Sequence, residues 1–91
     1  MLMTHPGRVL KRELAARGLS ANGLALALRT PANRITEILN GKRGVSPETA
    51  LRLGRYFGNS PRFWLNLQTA YDLARADREI GARVETEVSP G

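Results

Sequence analysis

Apolar positions along the chain recur at helical spacing in five runs, and turn-forming residues separate each run from the next. Val9, Leu10 and Leu14 mark the first run, which Pro6 opens and which ends at Arg17, before Gly18. Proline suits a first helical turn because its missing N–H would have no intrahelical partner there, and glycine tolerates the left-handed exit. Leu24, Ala25 and Leu28 give the second run, Ser20 to Leu28, one apolar face behind a serine cap. Arg29-Thr30-Pro31 then breaks the helix, with Thr30 predicted as the cap of a third helix and Pro31 as its first residue. That third helix, Ala32 to Leu39, turns Ile35, Ile38 and Leu39 inward and leaves Asn33, Arg34, Thr36, Glu37 and Asn40 facing out. Asn40-Gly41 stops it.

Gly44-Val45 connects to a second cap-and-proline signal, Ser46-Pro47-Glu48-Thr49, with a carboxylate where the helix dipole favours one. Ala50, Leu51, Leu53, Gly54 and Phe57 predict a closely packed fourth helix, and Arg52 and Arg55 are expected to be solvated or near phosphate. Ser60-Pro61 opens a fifth helix expected to run to about Asp77 or Glu79. No segment alternates with period two over β-branched residues. The fold class expected is all-α: a flexible start over 1–5, one domain over 6–79, and a frayed tail over 80–91. That tail carries two glycines, mixed charge and a terminal Ser-Pro-Gly.

The fifth run is richer in apolar groups than one core face requires. Phe63, Leu67, Ala70 and Ala74 make one face, while Trp64, Leu67 and Tyr71 make an adjoining one. A single small subunit hardly buries both, so Phe63, Trp64, Leu65, Leu67, Gln68 and Tyr71 are assigned to a homodimer interface.

Two short helices joined by a tight break, with basic residues after the second, form a helix-turn-helix, which places its second helix in the DNA major groove. The outward side chains suit that task. Arginine forks onto guanine, asparagine onto adenine, a carboxylate accepts from cytosine and threonine meets the thymine methyl. Lys42 and Arg43 follow at once, placed for phosphates.

Charge sharpens this. The 91 residues hold 14 Lys and Arg against 8 Asp and Glu, a net +6. From Met1 to Tyr71, 11 basic residues face 3 acidic ones; from Asp72 onward, 3 face 5. A basic body implies an anionic partner such as nucleic acid. All but two of the basic residues are arginine, the side chain suited to phosphate and base edges. With no cysteine there is no disulfide or thiolate chemistry. The lone His5 and the absence of carboxylates at helical i+3 or i+4 spacing argue against both a metal site and a small basic ribonuclease. No cofactor is expected. No run reaches the ~18 apolar residues of a membrane span, and Met1 to Pro6 is too short for a signal peptide, so a cytoplasmic location is expected.

Several blocks then line up in order: His5-Pro6-Gly7, Asn33-Arg34-Ile35, Asn40-Gly41-Lys42-Arg43-Gly44, Thr49-Ala50-Leu51-Arg52-Leu53 and Phe63-Trp64-Leu65-Asn66-Leu67-Gln68. In this order the chain resembles the HigA antitoxin family, within the Xre-type, lambda-repressor-like helix-turn-helix group, over residues 4 to 75. The resemblance implies a five-helix domain that dimerises, binds double-stranded operator DNA of its own operon and neutralises a HigB-type ribonuclease toxin. It implies that Thr30 to Asn40 matches the operator-reading helix and Lys42 and Arg43 the phosphate contacts. The candidate DNA-contacting set is Ser20, Asn22, Thr30, Ala32, Asn33, Arg34, Thr36, Glu37, Asn40, Lys42 and Arg43. Two departures stand out. Many Xre-type members carry glutamine where this chain has Ala21, with Asn22 or Asn33 as possible substitutes, and many carry glycine in the motif turn, where this chain has Arg29. A stand-alone transcriptional regulator with no toxin shares the same DNA chemistry; a small basic frame upstream would separate the two.

Overall fold

The computed structural model describes residues 3–91 and contains five helices: α1 Pro6–Arg17, α2 Ala21–Leu28, α3 Ala32–Leu39, α4 Pro47–Phe57 and α5 Pro61–Glu87. No strand is present among the described residues. The first four helices wrap one core, to which Leu10, Leu24, Ile35, Ile38, Ala50, Leu53 and Trp64 contribute fully buried side chains. Burying a Leu- or Ile-sized side chain stabilises by about 1.5–3 kcal/mol, so these residues carry most of the driving force. α1 crosses α3 so closely at Gly7 that a Cβ there would clash with the carbonyl of Ile38.

The chain starts in a more ordered way than expected. Residues 1–2 of the flexible start lie outside the described residues, but His5 is buried and caps α1, its Nδ1 accepting from Gly7 N–H at 2.9 Å. Its ring meets Tyr71 edge-on, with centroids 4.9 Å apart. Burial pushes the His5 pKa below its usual 6.5; Asp72 and a hydrogen bond to the Arg43 backbone carbonyl oppose it, and Arg75 acts with burial. The neutral ring is the one that can accept at Nδ1, so desolvation and capping favour the same form.

α5 departs furthest from expectation. It continues through Glu87, so residues 80–87 are helical rather than frayed. Ala82, Arg83, Glu85 and Glu87 are good helix formers, and no proline follows before Pro90. Exposed ion pairs at helical spacing, Arg75–Glu79 at 3.8 Å and Arg83–Glu87 at 3.2 Å, add a few tenths of a kcal/mol each.

The aromatic half of α5 also turns the other way. Trp64 is fully buried, its Nε1 donates to Asn59 Oδ1 at 2.9 Å, and Phe57 and Phe63 flank its ring. It is a core residue and not an interface residue, because the groove between α4 and α5 is deep enough to take an indole and supplies an acceptor for its N–H. Leu65 and Leu67 pack partly buried against the same core. Tyr71 is half-buried against His5, and Gln68 is spent on internal hydrogen bonds. Of the six residues assigned to a dimer interface, Phe63 alone is substantially exposed, and Ala70, expected inward, is exposed. A different outer stripe exists, formed by Phe63, Leu73, Ile80 and Val84. At about 100° per residue these four fall within a sector of roughly 100°, well round the helix from Trp64. Leu51 likewise faces solvent, lining a cleft with Tyr56, rather than packing inward with Leu53.

Candidate nucleic-acid interface

α2 begins with Ser20, whose hydroxyl accepts from Gly23 N–H at 2.9 Å, and Asn22 is exposed in its first turn. It ends at Arg29, which takes the left-handed conformation with φ 55° and ψ 49°. The amide of Thr30 reaches back to Ala25 O at 3.0 Å, closing the turn in the manner that usually calls for glycine. A side chain at this φ costs of order 1 kcal/mol. The chain thus pays a small strain to keep an arginine in the motif turn.

Thr30 does not cap α3. The capping position falls to Pro31, with φ −59° and ψ 141° and no side-chain cap, and Pro31 O accepts from Arg34 N–H at 3.1 Å. Extended ψ at the proline starts the helix one residue later than the cap-and-proline pattern suggests. Thr30 is half-buried and its hydroxyl is buried without a hydrogen-bond partner among the described residues, so it lies beneath the surface expected to meet DNA.

On α3, Ile35 and Ile38 are fully buried, and Ala32, Asn33, Thr36 and Asn40 lie exposed on the opposite side. The Thr36 hydroxyl is shared between Ala32 O at 3.0 Å and Asn33 O at 3.2 Å, which leaves its methyl group as the part free for a partner. Arg34 and Glu37, one turn apart, sit half-buried on the same flank. By helical geometry Arg34 is about 150°, roughly two-fifths of a turn, from the middle of the exposed face. Its Nη1 lies 3.2 Å from Glu48 Oε2 on α4. Glu37 pairs with Arg43, at 3.1 Å to Nε and 3.0 Å to Nη2. The front of α3 is therefore neutral and polar, with both ion pairs along one flank.

The loop after α3 is held from both ends. Gly41 turns it with φ 74°, and the amides of Lys42 and Arg43 donate to Glu37 O at 2.8 and 3.2 Å. Both basic side chains are exposed. Farther along, Val45 N–H donates to Gln68 Oε1 at 2.8 Å, and Gln68 Nε2 donates to Asp72 at 2.9 Å. Gly44 passes so close that a Cβ would come within 2.9 Å of the Gln68 amide. Gln68 is thus a strut between α5 and the basic loop.

Two further supports escape a reading of α3 alone. Arg52 Nη1 donates to Leu28 O at 2.9 Å, satisfying a carbonyl left over at the end of α2, and its Nε lies 3.6 Å from Glu48 Oε2. The i+4 spacing of Glu48 and Arg52 was the available signal. Nothing in the spacing of Gln68 marks its role. No group of three or more His, Asp or Glu side chains able to hold a metal occurs among the described residues, and none of their helices is long and apolar enough to cross a membrane.

Comparison with known proteins matches this geometry. A family model described as helix-turn-helix covers residues 10–64. Virulence-associated protein I of Dichelobacter nodosus is 51% identical over 76 residues, which span 82% of this chain and 70% of that protein. Among solved structures, an addiction module antidote protein of a HigA family from Coxiella burnetii is 49% identical, with TM-score 0.96 over 100% of both chains. The Pseudomonas aeruginosa antitoxin HigA, in a structure with the higBA promoter, is 41% identical, with TM-score 0.95 over 98% of each chain. Both structural matches extend through the motif and α5 together. The chain belongs to the HigA family of Xre-type helix-turn-helix proteins.

Proposed function

We propose that this protein is an antitoxin that binds its own operator as a dimeric repressor and neutralises a HigB-type ribonuclease toxin. The observation that carries the DNA half is the front of α3, where Ala32, Asn33, Thr36 and Asn40 stand exposed. Asn33 and Asn40 supply the donor–acceptor pairs that read adenine, and the Thr36 methyl suits thymine. Arg34 reads a guanine from the flank. Lys42 and Arg43 meet phosphates alongside, and Ser20 and Asn22 approach the backbone at the start of α2. Thr30 has no part in the contact. Support also comes from the likeness to an antitoxin HigA described with promoter DNA.

Two copies pair along the outer stripe of α5, Phe63, Leu73, Ile80 and Val84, in place of the Trp64 face. A helix of 27 residues is about 40 Å long, enough to set two α3 helices roughly one DNA turn, ~34 Å, apart.

The test is an anisotropy titration against DNA from just upstream of the operon, beside random DNA, at two salt concentrations. Tight, selective, salt-dependent binding with two chains per site is expected. Equal, weak binding to both DNAs would overturn the operator reading. For the toxin half, the adjacent reading frame is expressed with and without this chain. Growth arrest relieved by this chain supports the antitoxin; an adjacent frame with no effect leaves a stand-alone regulator.

A further inference from the structure

Body acids are scarce: residues 1–71 hold only Glu13, Glu37 and Glu48. Glu48 lies outside the motif yet reaches across from the first turn of α4 to a side chain of the reading helix. From the geometry we infer that Glu48 is a specificity-determining residue: it buttresses Arg34 so that the guanidinium meets a neutral guanine edge in preference to a phosphate. This rests on Arg34 being a base reader, as proposed above.

Three observations carry it. Arg34 spends only Nη1 on the carboxylate, at 3.2 Å, and among the described residues no other hydrogen bond uses its remaining N–H groups. A guanidinium has five donors in a fixed plane, so anchoring one edge orients the other. Second, the buttress is itself fixed. Glu48 Oε2 also lies 3.6 Å from Arg52 Nε, and Arg52 is tied to Leu28 O at 2.9 Å, so the relay runs from the motif turn through α4 to α3. Third, Arg34 is half-buried while the Glu48 side chain remains well exposed at 63%. The negative charge therefore faces the same solvent from which DNA arrives. A guanine O6/N7 edge is neutral and tolerates that charge, whereas a phosphate is repelled by it. One carboxylate thus orders the reader and penalises the sequence-independent contact, the repulsive element by which specific binders exclude alternatives.

The test compares wild type, Glu48→Gln, Arg34→Ala and the double variant. Each binds a duplex enriched by the wild-type protein from a randomised pool, and a random duplex of the same length. Glu48 is exposed and at a helix end, so the variants fold; a melting curve for each confirms it. For Glu48→Gln, affinity for random DNA rises and affinity for the enriched duplex does not, so their ratio falls about tenfold. In the Arg34→Ala background the same change shifts both affinities equally, because no reader remains to be oriented. Equal increases on both DNAs in the wild-type background, with Arg34→Ala still lowering the ratio, would overturn the inference and leave Arg34 as a reader. A ratio unmoved by Arg34→Ala would instead remove Arg34 as a base reader, and the inference with it.

Discussion

The two halves of α5 are one continuous helix with opposite relations to the rest of the molecule. From Pro61 to Ala74 it carries Trp64, the largest fully buried side chain, and lays Leu65 and Leu67 against the core and Tyr71 against His5. From Arg75 to Glu87 none of its residues is buried, and Ile80 and Val84 face solvent. The apolar content that suggested an outer surface is divided, with Trp64 and Ala74 buried and Phe63 and Leu73 outside, and the polar stretch that suggested a tail continues the helix. Richness in aromatics measures how much surface needs covering. Which side it faces is decided by whether a groove and a polar partner, here Asn59 for the indole N–H, await it.

The largest expected effect breaks the inner half. Trp64→Ala should cost about 3–5 kcal/mol, a large part of a small domain's stability, seen as a much lower denaturation midpoint. A lowered oligomeric mass with unchanged stability would return Trp64 to an interface. The outer half gives the contrasting result: Ile80→Asp with Val84→Asp should leave the monomer folded by circular dichroism and reduce the mass in light scattering to that of one chain. An unchanged mass would remove the outer stripe as the pairing surface.

Gln68→Ala tests the link between the inner half and the DNA-facing loop. It leaves the Val45 amide without its partner, expected at about 1–3 kcal/mol of stability, and weakens binding to all DNA by loosening Lys42 and Arg43. A variant with full stability and unaltered DNA affinity would show that the strut is dispensable. The smallest effect is at His5, against Tyr71. Its folded pKa is lowered, so the unfolded chain binds the proton more readily and stability falls as pH drops below about 6.5, levelling off beneath the folded value. His5→Asn keeps an acceptor for the Gly7 amide and should flatten that slope in melting curves taken across mildly acidic pH. An equal slope in both proteins would assign it to the carboxylates.

Much of the fold was legible because local signals agreed with one another. Ser20, Ser46 and Ser60 cap their helices as their sequence context predicts, and Leu24, Leu28, Ile35, Ile38 and Leu53 all turn inward. Thr30 misled because the same cap-and-proline pattern was placed one residue out of step by the left-handed turn at Arg29. Leu51 and Leu53 look alike in sequence; only packing shows that one is exposed. In the site, Asn33, Thr36 and Asn40 were visible from periodicity. Arg34 was read as front-facing although helical spacing already sets it well round from Thr36; only its Glu48 partner, on another helix, was beyond the pattern. Glu48 and Gln68 act across 14 and 23 residues of sequence, distances over which no local pattern carries information.

The Gln68 bridge has a mechanical consequence. It fastens the basic loop to the same helix that carries the outer stripe, so the DNA-facing parts are geared to α5 and do not ride on a free hinge. On the pairing along α5 proposed above, two such chains would form a caliper with fixed jaws. Operators whose half-sites are spaced a base pair too near or too far would then meet a gauge that does not stretch, and would be rejected on length before any base is read.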